Sequence, residues 1–442
     1  MDTNDFGILI MGYIIIIIAL FCGYKIYSNK GQKRFDWFVC SMMVMSSAII
    51  VINKPQIPCH RLFLFCFWLS VLKHNERQGV KFPLAIPLSI YIVGLLIVSF
   101  NSPYLNIFYK IYKPFVFLID TYLILLLACY GIKQENFKSK AIVYTLMFVT
   151  FYGVVTLILS SNPIQNITWS AFGQKLLQDY YFGDRVRITS TWSHPIAYGL
   201  ICGALFYEYL PYWKKKKIQI LMLLLAINVF LCGSRTALAA FFLMGGVIVL
   251  TRYKLSRAIR QGIIVCIMVI PIYCAVPMVQ NKIDSMVNTA LGNEDVAGSS
   301  LEMRDEQTYY AMLIVSECPL LGHGLDYIME VMGYGTDNFT GDSHLLGIES
   351  YTYILLIERG FIGLFLEIFI WASIIFYALL HRKQDVEDAS LIIAYILGFA
   401  FFSISTGTLD TKIPMLFFVG VALSKLSYNK ALVSANRHHS CT

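Results

Sequence analysis

Ile8-Leu-Ile-Met-Gly-Tyr-Ile-Ile-Ile-Ile-Ile-Ala-Leu-Phe-Cys-Gly-Tyr24 contains no charge, and isoleucine is unbroken from Ile14 to Ile18. About 17 to 25 such residues in a helix cross the ~30 Å hydrocarbon core of a bilayer. A retained helix is expected here, not a signal peptide, because Met1–Phe6 carries Asp2 and Asp5 and no base, whereas a secretory leader opens basic. The same pattern recurs along the chain. Spans are expected at approximately 7–24, 35–52, 57–72, 84–100, 114–131, 141–160, 195–211, 218–233, 236–251, 262–280, 352–380, 390–406 and 413–427. The third follows Pro55, contains Pro58 and Arg61, and reads alternatively as a re-entrant or interfacial piece.

Composition agrees with that reading. Charged residues make up 14% and hydrophobic residues 57%, with a mean hydropathy of +0.64, against roughly a quarter charged in soluble proteins. A soluble fold is excluded. The expected fold class is all-α, a polytopic transmembrane helix bundle of about 12–13 spans with one large, partly helical extracytoplasmic loop. The formal charge of +8 sits in short clusters between apolar runs, where topology accounts for it and nucleic acid does not. The 11 cysteines form no CxxC pair and read as small packing residues.

Lys and Arg in short loops mark the cytoplasmic side. Lys214–Lys217 and the set Arg252, Lys254, Arg257 and Arg260 are the strongest clusters. Counting spans from them puts Lys25–Arg34, Lys73–Lys81, Lys133–Lys140, His381–Lys383 and the C-terminus inside. Ser161–His194, the turn Gly233–Arg235 and the stretch from Asn281 to about Glu349 then lie outside. Lys110 and Lys113 also fall outside, against the rule. The chain accordingly divides into N-terminal helices (1–160), central helices with an outer loop at 161–194 (161–280), a large extracytoplasmic loop (281–349), and C-terminal helices with a cytoplasmic tail (350–442).

The large loop holds eleven acids ahead of Glu349 and only Lys282 and Arg304 as bases. Ser299 and Glu302 have the spacing of a capping box, and Pro319 is expected to end the helix that follows. Gly322, Gly324, Gly333, Gly335 and Gly341 make the remainder turn-rich.

Arginine is sparse outside the cytoplasmic clusters, so Arg185, Arg187, Arg235 and Arg304 need an account. A guanidinium forms bidentate bonds to phosphate and keeps its charge; the bland alternatives are a snorkelling anchor at Arg235 and solvated loop residues at Arg185 and Arg187. Arg187 leads into Thr189-Ser-Thr-Trp-Ser-His194-Pro195, a polar and aromatic run entering a membrane helix. His344 is a candidate proton acceptor near the membrane surface or a plain surface histidine. Glu349 and Glu358, nine residues apart, face opposite sides of a straight helix unless Gly360 and Gly363 mark a break. Asp120 and Glu367 interrupt apolar spans, which suggests either partners on neighbouring helices or a transporter. Tyr351 and other outer aromatics suit sugar stacking or an interfacial belt.

Four segments in order, Arg187-Ile-Thr-Ser-Thr-Trp-Ser-His-Pro-Ile-Ala-Tyr-Gly199, Gly233-Ser-Arg-Thr-Ala237, Arg304 followed by Pro319-Leu-Leu-Gly-His-Gly324, and Glu349 through Gly363, resemble the bacterial O-antigen polymerase and O-antigen ligase family. The resemblance covers roughly 185–370. It implies a polytopic enzyme that transfers glycan from an undecaprenyl-diphosphate carrier on the outer face of the cytoplasmic (inner) membrane, with Arg235 and Arg304 holding the diphosphate and Arg187 and Arg185 beside them. Many members carry His-Asn nine residues before the Glu of Glu-x-Gly-x-x-Gly, where this chain has Glu349-Ser350. Glu349 replaces that histidine, or His344 serves as base, or both only position substrate. His194, Tyr351 and Glu358 are the remaining candidate substrate contacts.

A diphosphate leaving group needs its charge stabilised, which preorganised arginines supply, and the chain has no Asp-x-Asp or outer histidine cluster. A metal-independent transferase without a cofactor is therefore expected. The expected reaction is polymerisation of lipid-linked repeat units into O-antigen, capsule or exopolysaccharide. Transfer of finished glycan to a lipid core or protein by a ligase, and a non-enzymatic glycan transporter, are the alternatives. A flippase and a chain-length regulator of the same pathway are the implied partners, besides the bilayer and the lipid-linked oligosaccharide.

Overall fold

The computed structural model describes residues 3–45, 49–52, 57–75, 82–132, 135–171, 187–192, 194–254, 256–257, 259–260, 280, 284, 288, 301–333, 340, 345, 348, 350–406 and 412–439. The architecture is an all-α membrane bundle, and the helices α1 (Thr3–Ser28), α3 (Cys59–Lys73), α4 (Ala85–Asn101), α7 (Lys140–Leu159), α9 (Pro195–Tyr209), α10 (Lys216–Leu231), α11 (Arg235–Arg252), α14 (Tyr351–His381), α15 (Val386–Ser405) and α16 (Lys412–His439) fall where apolar runs predict spans. Five helices among the described residues are long and apolar enough to cross a membrane: Ile10–Ser28, Lys140–Leu159, Arg235–Arg252, Tyr351–His381 and Val386–Ile404. α5 (Ile107–Asp120) and α6 (Tyr122–Gly131), bent by 49°, form a sixth if counted as one span. The expected span at 262–280 lies outside the described residues.

Two expected spans are built differently. Over 35–52 the helix α2 (Gly31–Val44) stops early, and β1 (Ile50–Ile52) pairs antiparallel with β2 (Ile57–Pro58). The run Ile49-Ile-Val-Ile52 is β-branched throughout, which favours extended backbone. The run 114–131 is broken at Thr121 instead of continuous. Helix starts elsewhere follow side-chain capping: Asn106 for α5, Ser139 for α7, Ser234 for α11 and Asp385 for α15 each accept a backbone N–H one turn on.

Small residues let the helices approach. Gly199 of α9 sits where an added Cβ would be 3.0 Å from Ala237 Cβ, and Gly420 of α16 where it would be 2.6 Å from Ala128 Cβ. α11 packs along α15, α15 along α16 and α14, and α16 along α6. At one end the base-rich loops meet: Gln32 Nε2 donates to Asn136 O at 2.9 Å, Tyr209 Oη to Phe137 O at 2.6 Å, and Arg252 Nε to Ser390 Oγ at 2.7 Å. Because α11 runs toward that end and α15 leads away from it, Arg235 and Tyr351, whose N–H bonds Thr406 O at 3.1 Å, share the opposite end.

The intramembrane acids have partners. Asp120 takes a two-pronged bond from Arg61, Nε to Oδ1 at 2.7 Å and Nη2 to Oδ2 at 2.5 Å. Glu367 pairs with Lys412 and accepts from Tyr91 Oη at 2.7 Å and Tyr122 Oη at 2.9 Å. Lys113, expected outside against the rule, bonds Asp326 at 2.7 Å, and Lys110 donates to Phe100 O at 2.9 Å. Asp120→Leu removes the carboxylate that the Arg61 guanidinium bonds and is expected to cost roughly 1–3 kcal/mol, between the limits for exposed and buried pairs. Arg61→Leu with Asp120→Leu should recover most of that, as read by thermal unfolding in detergent.

Candidate functional site: an arginine corner and a broken helix

The turn Cys232-Gly-Ser-Arg235 ends α10 and starts α11. Gly233 has φ +73°, and an added Cβ would lie 2.7 Å from Arg187 Cγ. The Arg187 side chain thus lies directly on the turn that delivers Arg235, and Ile188 N donates to Leu231 O at 3.3 Å to hold it there. Two guanidinium-bearing residues meet at a helix N-terminus, where the macrodipole favours an anion. Gly233→Ala is expected to displace Arg187 and lower activity about tenfold, a loss of some 1.4 kcal/mol in transition-state binding, with membrane levels measured alongside.

The polar run after Arg187 supplies scaffolding. Asn162 Nδ2 donates to Thr189 Oγ1 at 2.9 Å and Ser190 O at 2.6 Å, Thr189 Oγ1 donates to Gln165 Oε1 at 2.9 Å, and Ser190 Oγ to Val149 O at 2.6 Å. Ser190 is left-handed at φ 53°, a conformation these bonds hold in place. His194 occupies the N-cap position of α9 ahead of Pro195 and is half-buried. Asn162 and Gln165 were not singled out in the sequence, which offers only their position beside a proline.

The second feature is the break in α14. Gly360 has φ 60° and ψ −165°, and the backbone groups it releases are taken up by Pro319–Gly324. Phe361 N donates to Pro319 O at 2.8 Å and Ile362 N to Leu320 O at 3.0 Å, while His323 N and Gly324 N donate to Ile357 O and Glu358 O at 2.9 and 2.8 Å. Freed helix groups in a membrane must find internal partners. Two of the four segments singled out in the sequence are therefore one structural unit.

The break at Gly360 lies C-terminal to both Glu349 and Glu358 and so does not come between them; Glu349, His344 and Arg185 lie outside the described residues. Glu358 is buried, and its backbone carbonyl accepts from Gly324 N just ahead of the short helix α13 (Tyr327–Glu330). Tyr351 is buried with its hydroxyl 3.2 Å from Lys412 Nζ. α12 (Leu301–Glu317) ends ahead of Pro319 as expected; the backbone of Arg304 lies in it, and its side chain is outside the described part, as is Ser299. Ala311, Val315, Ile328 and Met332 of the loop pack on Leu356 and Ile357 of α14, and Thr308 Oγ1 and Tyr353 Oη share a hydrogen bond of 2.6 Å. His323 lies 4.5 Å from the Tyr327 ring, whose hydroxyl pKa is raised by burial and by the nearby Glu317 carboxylate.

The fold and this site define an integral membrane protein in which the segment 301–333 is docked on a broken helix at the end that carries the arginine corner. Residues 220–368 match the family model described as O-Antigen ligase, a stretch that includes both Arg235 and the break. This part of the chain is thus similar to the O-antigen ligase family, which supports glycan transfer of that general type. Comparison with curated proteins finds no match.

Proposed function

We propose that the chain is a polymerase that joins undecaprenyl-diphosphate-linked oligosaccharide repeat units into a surface polysaccharide at the outer face of the cytoplasmic membrane. The observation that carries this reading is the seating of Arg187 on Gly233, which brings two guanidinium-bearing residues to the N-terminus of α11. In this reading the Lys- and Arg-rich end and the C-terminus are cytoplasmic. Arg187 and Arg235, with Arg185 and Arg304 from the outer segments, hold the diphosphate of the donor. An acceptor hydroxyl oxygen bonds to sugar C1, the C1–O bond to phosphate breaks, and the lipid diphosphate leaves with the electron pair. Glu349 or His344 takes the hydroxyl proton, assistance worth about 10²–10⁴-fold. His194, Tyr351 and Glu358 stand around this path, Tyr351 and Glu358 by shaping the first half of α14. No metal or cofactor is needed in this scheme.

Deletion and complementation test the reading by gel analysis of lipid-linked and surface glycan. A polymerase predicts that the length ladder collapses to single repeat units on deletion. Full-length polymer accumulating on the lipid carrier would instead identify a ligase, the second reading, which the description of the matched family favours. A transporter built on Asp120 and Glu367 would require mobile acids, whereas both are bound to cations.

A further inference from the structure

A single buried nitrogen spans a distance that a straight helix forbids. Tyr351 and Glu367 lie sixteen residues apart on α14, and at 1.5 Å per residue a continuous helix would separate them by about 24 Å. Lys412 Nζ nevertheless lies 3.2 Å from Tyr351 Oη and in an ion pair with Glu367 Oε1. The two halves of α14 must therefore fold toward one another at Gly360, with Lys412 in the angle between them.

A second chain of bonds crosses the same angle. Tyr91 Oη donates to Glu367 Oε2 at 2.7 Å and accepts from Arg359 Nη1 at 3.3 Å, and the Arg359 guanidinium lies 3.9 Å over the Phe117 ring. Both chains begin at the Glu367 carboxylate, and Lys412 and Glu367 are 0% and 1% exposed. An apolar pair of similar size would be as stable or more so in such a place, because burying two charges is costly. What the ion pair adds is direction: it fixes where the Tyr351 hydroxyl must sit.

We propose that Lys412 and Glu367 form a positioning clamp that sets the angle between the first half of α14 and the bundle, and with it the placement of the outer segments against the arginine corner. The inference rests on the glycan-transfer reading. Residues 351–359 continue directly from Glu349-Ser350 and carry the docked loop helices, including the one that contains Arg304. Arg187 and Arg235 belong to the corner between α10 and α11, and α15 packs against both α11 and α14. Closing or opening the Gly360 hinge moves one half of the site relative to the other.

The test uses the full-length protein in lipid nanodiscs, spin-labelled through non-canonical residues at the exposed positions Tyr309 and Phe376. Inter-label distance is read by pulsed electron resonance, and polymer formation from lipid-linked repeat units is followed in parallel. Tyr351→Phe removes only the hydroxyl that Lys412 holds and leaves the ion pair intact. It is expected to broaden or lengthen the distance distribution and to lower turnover about tenfold with half-saturating donor concentration unchanged. Lys412→Met should do both more strongly, and Lys412→Arg should retain most of the wild-type behaviour. An unchanged distance in Tyr351→Phe and Lys412→Met overturns the clamp, and so does a changed distance with wild-type turnover. If the transfer reading itself is wrong, wild type forms no product, while the distance measurement still reads the clamp.

Discussion

Replacing Arg235 by alanine is expected to reduce polymer formation roughly 100-fold or more at unchanged membrane level, leaving single repeat units on a glycan gel. Preorganised donors aimed at developing charge are worth about 10²–10³ in rate each, and Arg235 stands at the first residue of α11, where the helix macrodipole adds to its own charge. The side chain does not fill the core; it is half-buried at the start of α11, so truncation is expected to cost activity and not folding. Arg235→Lys keeps a point charge but loses the planar fork that meets two phosphate oxygens at once, and should recover only a small part of the loss. A full ladder in Arg235→Ala would remove the diphosphate clamp from the reading.

The second large effect is on folding. Gly360→Ala places a side chain at φ 60° and ψ −165°, a region almost reserved for glycine in which other residues cost about 1–3 kcal/mol. The new Cβ would also sit 2.5 Å from the carbonyl carbon of Leu320, and the bonds from Phe361 N and Ile362 N to Pro319 and Leu320 would be lost with the close approach, at about 1 kcal/mol each. A loss of about 4 kcal/mol is expected, seen as a lowered unfolding temperature in detergent and depleted protein in the membrane. Gly246→Ala is the control: nothing lies within 4 Å of its added Cβ, and in the interior of α11 alanine is the better helix former by about 1 kcal/mol. Equal stability of the two variants would mean that the break is not held by the Pro319–Gly324 segment.

The positions at which helices begin and end were largely legible in the chain. Apolar runs, the caps at Asn106, Ser139, Ser234 and Asp385, and Pro319 as a stop are local features, each decided within about 20 residues by transfer of side chains from water to lipid and by satisfaction of helix ends. The same local logic misled at 35–52, where hydropathy alone does not distinguish a β-branched ribbon from a helix. Candidate residues were legible as types in order: arginines, a Ser-Arg turn, a glycine-flanked histidine and paired glycines.

Which of these meet was decided by packing. Nothing local to Arg187 says that it rests on Gly233, because that contact exists only once α9, α10 and α11 lie side by side. Nothing around Pro319–Gly324 says that its carbonyls and N–H groups complete a helix broken 40 residues later at Gly360. Lys412 begins an ordinary apolar helix in the sequence, and only the fold makes it the partner of Glu367 and Tyr351. The sequence by itself therefore determined a bundle of membrane helices and the ends to which its charges go, since partitioning into lipid depends on each segment alone. The tertiary structure decided the arginine corner, the hinge and its clamp, since a buried charge or a freed backbone group is satisfied by whatever neighbour the packing brings within 3 Å.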